Sequence, residues 1–156
     1  MQSDHAEVQL STDIENLTVG QLEGFFEGWP TKPAPEQLLL ILRSSYRAVI
    51  AREESGRLVG IATSISDGTL SAFIPLVEVL PEYRGGGIGT ALMRRMLEEL
   101  SGVYAVDLTC DEDVAPFYER LGMVRTVGMS LRDSIAVERL APSPPTAERH
   151  SSPGVS

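Results

Sequence analysis

The sequence predicts a mixed α/β fold: helices packed on a sheet that contains one parallel strand pair. Two observations carry this. Apolar, β-branched runs at 46–52, 58–66 and 70–80 are separated by a Glu-Glu-Ser-Gly turn and by Asp67-Gly68, the spacing of neighbouring strands joined by tight turns. The 88–100 segment then carries Ile88, Leu92, Met93, Met96, Leu97 and Leu100 at helical spacing. It stands between strand 70–80 and a further apolar run at 104–109. A strand–helix–strand unit of this kind forces its two strands to run parallel.

The remaining elements follow in order. Residues up to about 10 supply a first strand. Thr18 is a candidate N-cap for a helix over 18–26 that carries Leu22 and Phe25. Residues 28–35 contain three prolines, which fix φ and remove donors, so regular structure stops there. A second helix spans 36–44. After strand 104–109 come a short helix over 114–121 and strand material over 123–131. Residues 1–140 are expected to form one domain. The Pro/Ser-rich stretch 141–156 has almost no large apolar groups and is expected to be a disordered tail.

Composition narrows the function classes. The chain has 156 residues, enough for one sizeable core. No apolar run is as long as a membrane span and no basic, apolar leader opens the chain, so a cytoplasmic protein is expected. The single cysteine, Cys110, excludes an internal disulfide framework and most structural zinc sites, and no metal is expected. A net charge of −9 argues against nucleic acid and suits a cationic small molecule. The two histidines, His5 and His150, sit in the terminal segments, which leaves the folded core to do acid–base work without histidine.

The chemistry concentrates where strand 70–80 meets helix 88–100. Val77-Glu78-Val79-Leu80-Pro81 runs into Glu82-Tyr83-Arg84-Gly85-Gly86-Gly87-Ile88-Gly89-Thr90. Glycines let a backbone approach a ligand closely, and the first N–H groups of a helix have no intrahelical partner, so this junction suits an anion. It is not a Walker A loop, because Thr90-Ala91 follows the last glycine where Lys-Ser/Thr is needed. It is not the dinucleotide fingerprint, because Thr90 stands where the third glycine belongs.

What fits is Arg/Gln-x-x-Gly-x-Gly/Ala, filled by Arg84, Gly87 and Gly89. In that form the stretch resembles the pyrophosphate-binding motif of the GCN5-related N-acetyltransferases (GNAT superfamily). Further on, Phe117-Tyr118-Glu119-Arg120-Leu121-Gly122-Met123 is similar to the family segment F-Y-x-x-x-G-F, with Met123 for the last phenylalanine. The preceding Cys110, acidic residues and Pro116-Phe117-Tyr118-Glu119-Arg120 are similar to the arylalkylamine N-acetyltransferases in particular.

The resemblance covers roughly residues 7–135. It implies a mixed, mostly antiparallel sheet with helices on both faces, splayed between the parallel strands around a pantetheine arm. It implies acetyl-CoA as cosubstrate, with Arg84, Gly85, Gly86, Gly87, Ile88, Gly89 and Thr90 on the pyrophosphate. The backbone of Val77, Glu78 and Val79 would pair with pantetheine, and Tyr118 would meet the thioester sulfur. The expected partners are acetyl-CoA and a small amine, with neither nucleic acid nor membrane, for a monomer or homodimer.

The reaction needs an acid and a base. A phenol with pKa near ~10 can protonate a departing thiolate whose parent thiol is near ~8.5, which gives Tyr118 a role beyond packing on Phe117. An alkylamine is protonated at neutral pH and attacks only after losing a proton. The arylalkylamine enzymes place two histidines at positions that fall here on Phe73 and Pro75, so that relay is absent. Glu78, Asp107, Asp111, Glu112 and a water chain remain as candidates, with Glu78 and Asp107 carried forward. Strand alternation sets Phe73 and Pro75 on the face opposite Glu78 unless a bulge intervenes. Phe25, Phe26 and Trp29, with Phe73 and Pro75, are the expected acceptor-binding residues, for an aromatic amine. Peptide amines, polyamines, aminoglycosides and a non-catalytic acyl-CoA-binding role are the alternatives.

Overall fold

The computed structural model describes residues 7–133 and 135–136. Five strands form one sheet in chain order: β1 (Gln9–Ser11), β2 (Arg47–Arg52), β3 (Leu58–Ser66), β4 (Ser71–Val79) and β5 (Ala105–Asp107). The first three pairings are antiparallel, and β4 with β5 is parallel. Three α-helices accompany them: α1 (Pro35–Ser44), α2 (Ile88–Glu99) and α3 (Ala115–Glu119). The expected tail, 141–156, lies outside the described residues.

Both faces of the sheet are covered, which is why β3 is buried continuously from Leu58 to Ser64. Gly60 pairs with Ala51 and Val79 on the α2 face. A Cβ on Gly60 would come within 2.9 Å of Leu92 and 3.1 Å of Ile88, so only glycine lets α2 lie this close. Ile61, opposite Ile50 and Glu78, points to the other face, where Phe26 and Trp29 approach Glu78. Leu22, Phe25, Leu38 and Leu42 belong to the same buried core.

A bulge in β4 changes which residues share a face. Thr63 pairs with Leu76, yet Ile65 pairs with Phe73, so three steps of β4 oppose two of β3. Following β3 by alternation puts Phe73 on the side of Ile61 and Glu78. The alternation expected without a bulge therefore fails at Ile74-Pro75, where proline also removes a ladder donor.

Two expected elements differ. The helix over 18–26 is a single 3-10 turn, Val19–Leu22. Gly24 at φ 89° and Phe26 at φ 63° take left-handed backbone that no α-helix contains, and the irregular path turns Leu22, Phe25 and Phe26 all inward. Packing outweighs helix periodicity here. The strand over 123–131 has no ladder among the described residues. Its last regular bond is Met123 N–H to Tyr118 O at 3.2 Å, and Val124, Val127, Met129 and Leu131 stand exposed.

Candidate active site

The parallel pairing of β4 and β5 is short. It runs through Ser71–Ala105, Ala72–Val106 and Phe73–Asp107 and then stops, while β4 continues to Val79. The strands diverge, and a cleft of about 920 Å³ opens between them. One wall is Ile74 to Val79. The other is Thr109, Cys110 and Asp111 with Val114, Phe117 and Tyr118 of α3. The glycine loop closes one end, and Trp29 stands at the rim.

The loop is built as an anion cradle. Gly85 and Gly87 sit at φ 81° and 87°, and a Cβ on either would meet nothing within 4 Å, so the space above the backbone is open. Gly87 is the N-cap of α2, and the first bond of the helix is Ala91 N–H to Gly87 O at 3.0 Å. The N–H groups of Ile88, Gly89 and Thr90 thus have no partner within the helix, and its dipole adds partial positive charge. The side chain of Arg84 turns back toward the strand. Its Nε donates to Val79 O at 3.0 Å, and Nη2 lies 3.6 Å from Glu78 Oε2.

The two sequence motifs meet in space. A Cβ on Gly89 would lie 3.7 Å from Phe117 Cζ and 3.9 Å from Val79 Cγ2. Phe117 in turn packs edge-on to Tyr118, with ring centroids 4.9 Å apart. Burial pushes the Tyr118 phenol above its ordinary value, and nearby Cys110 adds to the rise, so the hydroxyl keeps its proton at neutral pH.

Glu78 is the buried carboxylate of the cleft, 8% exposed. Burial raises its pKa. Arg84, the Trp29 side chain and the Phe26 backbone N–H pull the other way without cancelling that rise. Phe26 is the one non-glycine residue at positive φ among the described residues. Such a conformation costs on the order of 1–3 kcal/mol and persists only where the surroundings fix it. Trp29 N–H donates to Phe26 O at 3.2 Å, and the two rings pack edge-on at 5.0 Å.

Other expected site residues fall elsewhere. Phe25 and Phe26 are core residues, 5% and 3% exposed, and neither lines the cleft. Asp107 does not line the cleft but an adjoining cavity of about 600 Å³, with Leu97, Leu121 and Arg125, which shares Thr109, Cys110 and Tyr118 with the cleft. Phe73 is partly exposed on β4 but does not line the cleft, whereas Pro75 does. Thr109 and Cys110 line the cleft although the sequence marked neither as a ligand-facing residue. Their place follows from the divergence of β5, which local sequence does not encode.

The Acetyltransferase (GNAT) family model matches residues 14–123, a span that takes in the glycine loop, Glu78 and Tyr118. The chain belongs to the GNAT family of acetyltransferases. A protein from Deinococcus radiodurans R1, described as an acetyltransferase, has a crystal structure that superposes with a TM-score of 0.82 at 47% identity. It covers 92% of this chain and 98% of its own. The uncharacterized N-acetyltransferase ycf52 of Porphyra purpurea is 28% identical over 120 residues, 73% of this chain and 69% of that one. The glucosamine 6-phosphate N-acetyltransferase of Trypanosoma brucei brucei is 37% identical over 82 residues, 47% of this chain and 56% of that one.

GNAT enzymes use acetyl-CoA, and the open glycine cradle fits the pyrophosphate of that cosubstrate. Among the described residues no group of side chains is arranged to hold a metal, and no helix is long and apolar enough to cross a membrane.

Proposed function

We propose that this GNAT enzyme transfers acetyl directly from acetyl-CoA to a small primary amine, favours arylalkylamines of the tryptamine and tyramine kind, and works in the cytoplasm. One observation carries the reading: Glu78 and Tyr118 line a single cleft that the glycine loop closes at one end. A base and an acid are thus available to the two sides of one acyl transfer.

Bound acetyl-CoA supplies the thioester carbonyl that the amine attacks. The chain's residues do the rest. The N–H groups at the start of α2 and the loop Arg84 to Thr90 hold the pyrophosphate, and the backbone of Val77 to Val79 pairs with the pantetheine arm as an added strand would. Glu78 takes the proton of the ammonium, directly or through water. As the nitrogen–carbon bond forms and the carbon–sulfur bond breaks, the Tyr118 hydroxyl gives its proton to the sulfur, and the second proton of the nitrogen returns through water to the Tyr118 oxygen, leaving the amide, the free thiol and a protonated Glu78. Burial of both groups suits these roles, since a raised carboxylate is a stronger base and a raised phenol stays protonated. The position of Glu78 in the cleft favours it over Asp107 as the base.

The acceptor class rests on the rim. Trp29 is 48% exposed there and Pro75 and Leu76 supply apolar surface beside it. An aromatic ring that buries against them gains roughly 25 cal/mol per Å² removed from water. A net charge of −9 favours approach of the ammonium end. Thiol release from acetyl-CoA, measured with tyramine, tryptamine, spermidine, an aminoglycoside, a peptide amine and glucosamine 6-phosphate, tests the reading. The highest kcat/KM is expected for tyramine or tryptamine. A preference for spermidine or glucosamine 6-phosphate overturns the amine class, and no thiol release with any acceptor overturns catalysis by this cleft.

A further inference from the structure

Arg84 opens the anion cradle, yet its side chain turns away from it. Nε donates to Val79 O at 3.0 Å, and Nη2 lies 3.6 Å from Glu78 Oε2. Both partners belong to the cleft. Leu80 N–H donates to Val59 O at 2.9 Å, and the ladder then pairs Gly60 with Val79, Ile61 with Glu78 and Ala62 with Val77. Bonded and non-bonded pairs alternate along an antiparallel ladder, so Val79 and Val77 turn their N–H and C=O groups away from β3. The β4–β5 ladder ends at Phe73, which leaves those groups facing the cleft. Val79 O is therefore an acceptor for an amide N–H of the pantetheine arm, and Arg84 occupies it.

Neither contact fixes the side chain. It is half exposed, and its ion pair with Glu78 is longer than a hydrogen bond. A guanidinium pairs more strongly with a phosphate than with a neutral carbonyl, and the cradle begins at the next residue, Gly85. We propose that Arg84 is a positioning residue that exchanges partners: it holds Val79 O and the Glu78 carboxylate in the free protein, and leaves both for the pyrophosphate when acetyl-CoA is bound. The inference rests on the proposed reaction, with Glu78 as its base. The exchange takes the cation from Glu78 only when the acyl donor is in place. Loss of a neighbouring positive charge raises a carboxylate's affinity for a proton, so the base strengthens as the thioester arrives.

The other ionisable groups near Glu78 are accounted for. Glu27 and Lys32 pair with each other at 2.6 Å in the loop before α1. Tyr83 lines the cleft, but its hydroxyl donates to Glu53 at 2.6 Å. Asp111, Cys110 and Tyr118 stand on the opposite wall, and Ile61 of β3 brings no charge.

Dephospho-CoA is the probe, since it keeps pantetheine and pyrophosphate and lacks the 3′-phosphate, which would titrate in the same range. Calorimetry between pH 5 and 7.5, in buffers of different ionisation enthalpy, reads the protons taken up on binding. The wild-type protein should take up at most about half a proton per chain where Glu78 titrates. Glu78→Gln should take up none. Arg84→Gln should take up clearly less than wild type, because its Glu78 has no cation to lose, and glutamine still satisfies the loop motif. The Arg84 Nε–H signal in NMR, identified by its loss in Arg84→Gln, should shift when the wild-type protein is saturated. Uptake as large in either variant as in wild type, or an Arg84 signal that does not move, overturns the proposal. If Glu78→Gln releases thiol at the wild-type rate, Glu78 is not the base, and the uptake and the Arg84 signal still decide whether the exchange occurs.

Discussion

Two ionisable side chains line the cleft from opposite walls, and burial raises the pKa of both. For Tyr118, the proposed acid, this preserves a proton for the departing sulfur. Tyr118→Phe removes the hydroxyl and little volume, so CoA affinity by calorimetry should stay near wild type while turnover drops by about ~10²-fold. Unchanged turnover, with chemistry rate-limiting, would leave Tyr118 as a packing partner of Phe117. Much of this residue was legible in sequence, because the Phe-Tyr pair recurs at a fixed place before a glycine. Its neighbour across the cleft was less so. Glu78 was one of several open carboxylates, and what singles it out is its burial in the cleft, beside the Phe26 turn. That turn depends on a left-handed φ at a phenylalanine, a conformation that side-chain type argues against and only the surrounding core imposes.

At the scale of elements, the site depends on how closely α2 lies on β3. Gly60 sets that distance, and the same packing fixes the start of α2 over the anion cradle. Gly60→Val would drive side-chain atoms into Ile88 and Leu92, at a cost of about 1–3 kcal/mol in stability and a weakened CoA affinity. Gly87→Val acts differently, since nothing crowds that position. Its penalty comes from φ 87° and from filling the space above the loop. CoA affinity by calorimetry should fall more sharply in Gly87→Val than melting temperature does, and the reverse should hold for Gly60→Val. Equal CoA affinity in folded Gly87→Val and wild-type protein would remove the loop from the cofactor site. The glycine loop, the three central strands and α2 could be read from periodicity and turn residues. The β4 bulge could not, because it is a matter of register between strands. The 3-10 turn in place of a helix over 18–26 was hidden for a related reason: Leu22, Phe25 and Phe26 are spaced for a helix but buried by an irregular path.

For the molecule as a whole, burial of Glu78, the proposed base, sets function against stability. Glu78 binds its proton more tightly in the folded chain than in the unfolded one, where its pKa returns to the ordinary carboxylate value. Between that value and the raised folded one, the folded state holds more protons, so stability falls as pH rises through this window. The contribution is fully present below the unfolded pKa and is lost above the folded one. At neutral pH the fold therefore carries a charge it would be more stable without, and Arg84, half exposed, offsets this only in part. Glu78→Gln should match the melting temperature of wild type near pH 4 and exceed it by a few degrees at pH 7.5, while acetyl transfer is largely lost. The acidic chain also repels itself, and removing any carboxylate relieves some of that. Glu98→Gln, an exposed position on α2, removes the same charge without the burial and should show no such gain. A Glu78→Gln protein less stable than wild type at pH 7.5 would mean that the pairing with Arg84, Trp29 and Phe26 outweighs the cost of burying the charge, and that the base is held for stability as well as for chemistry.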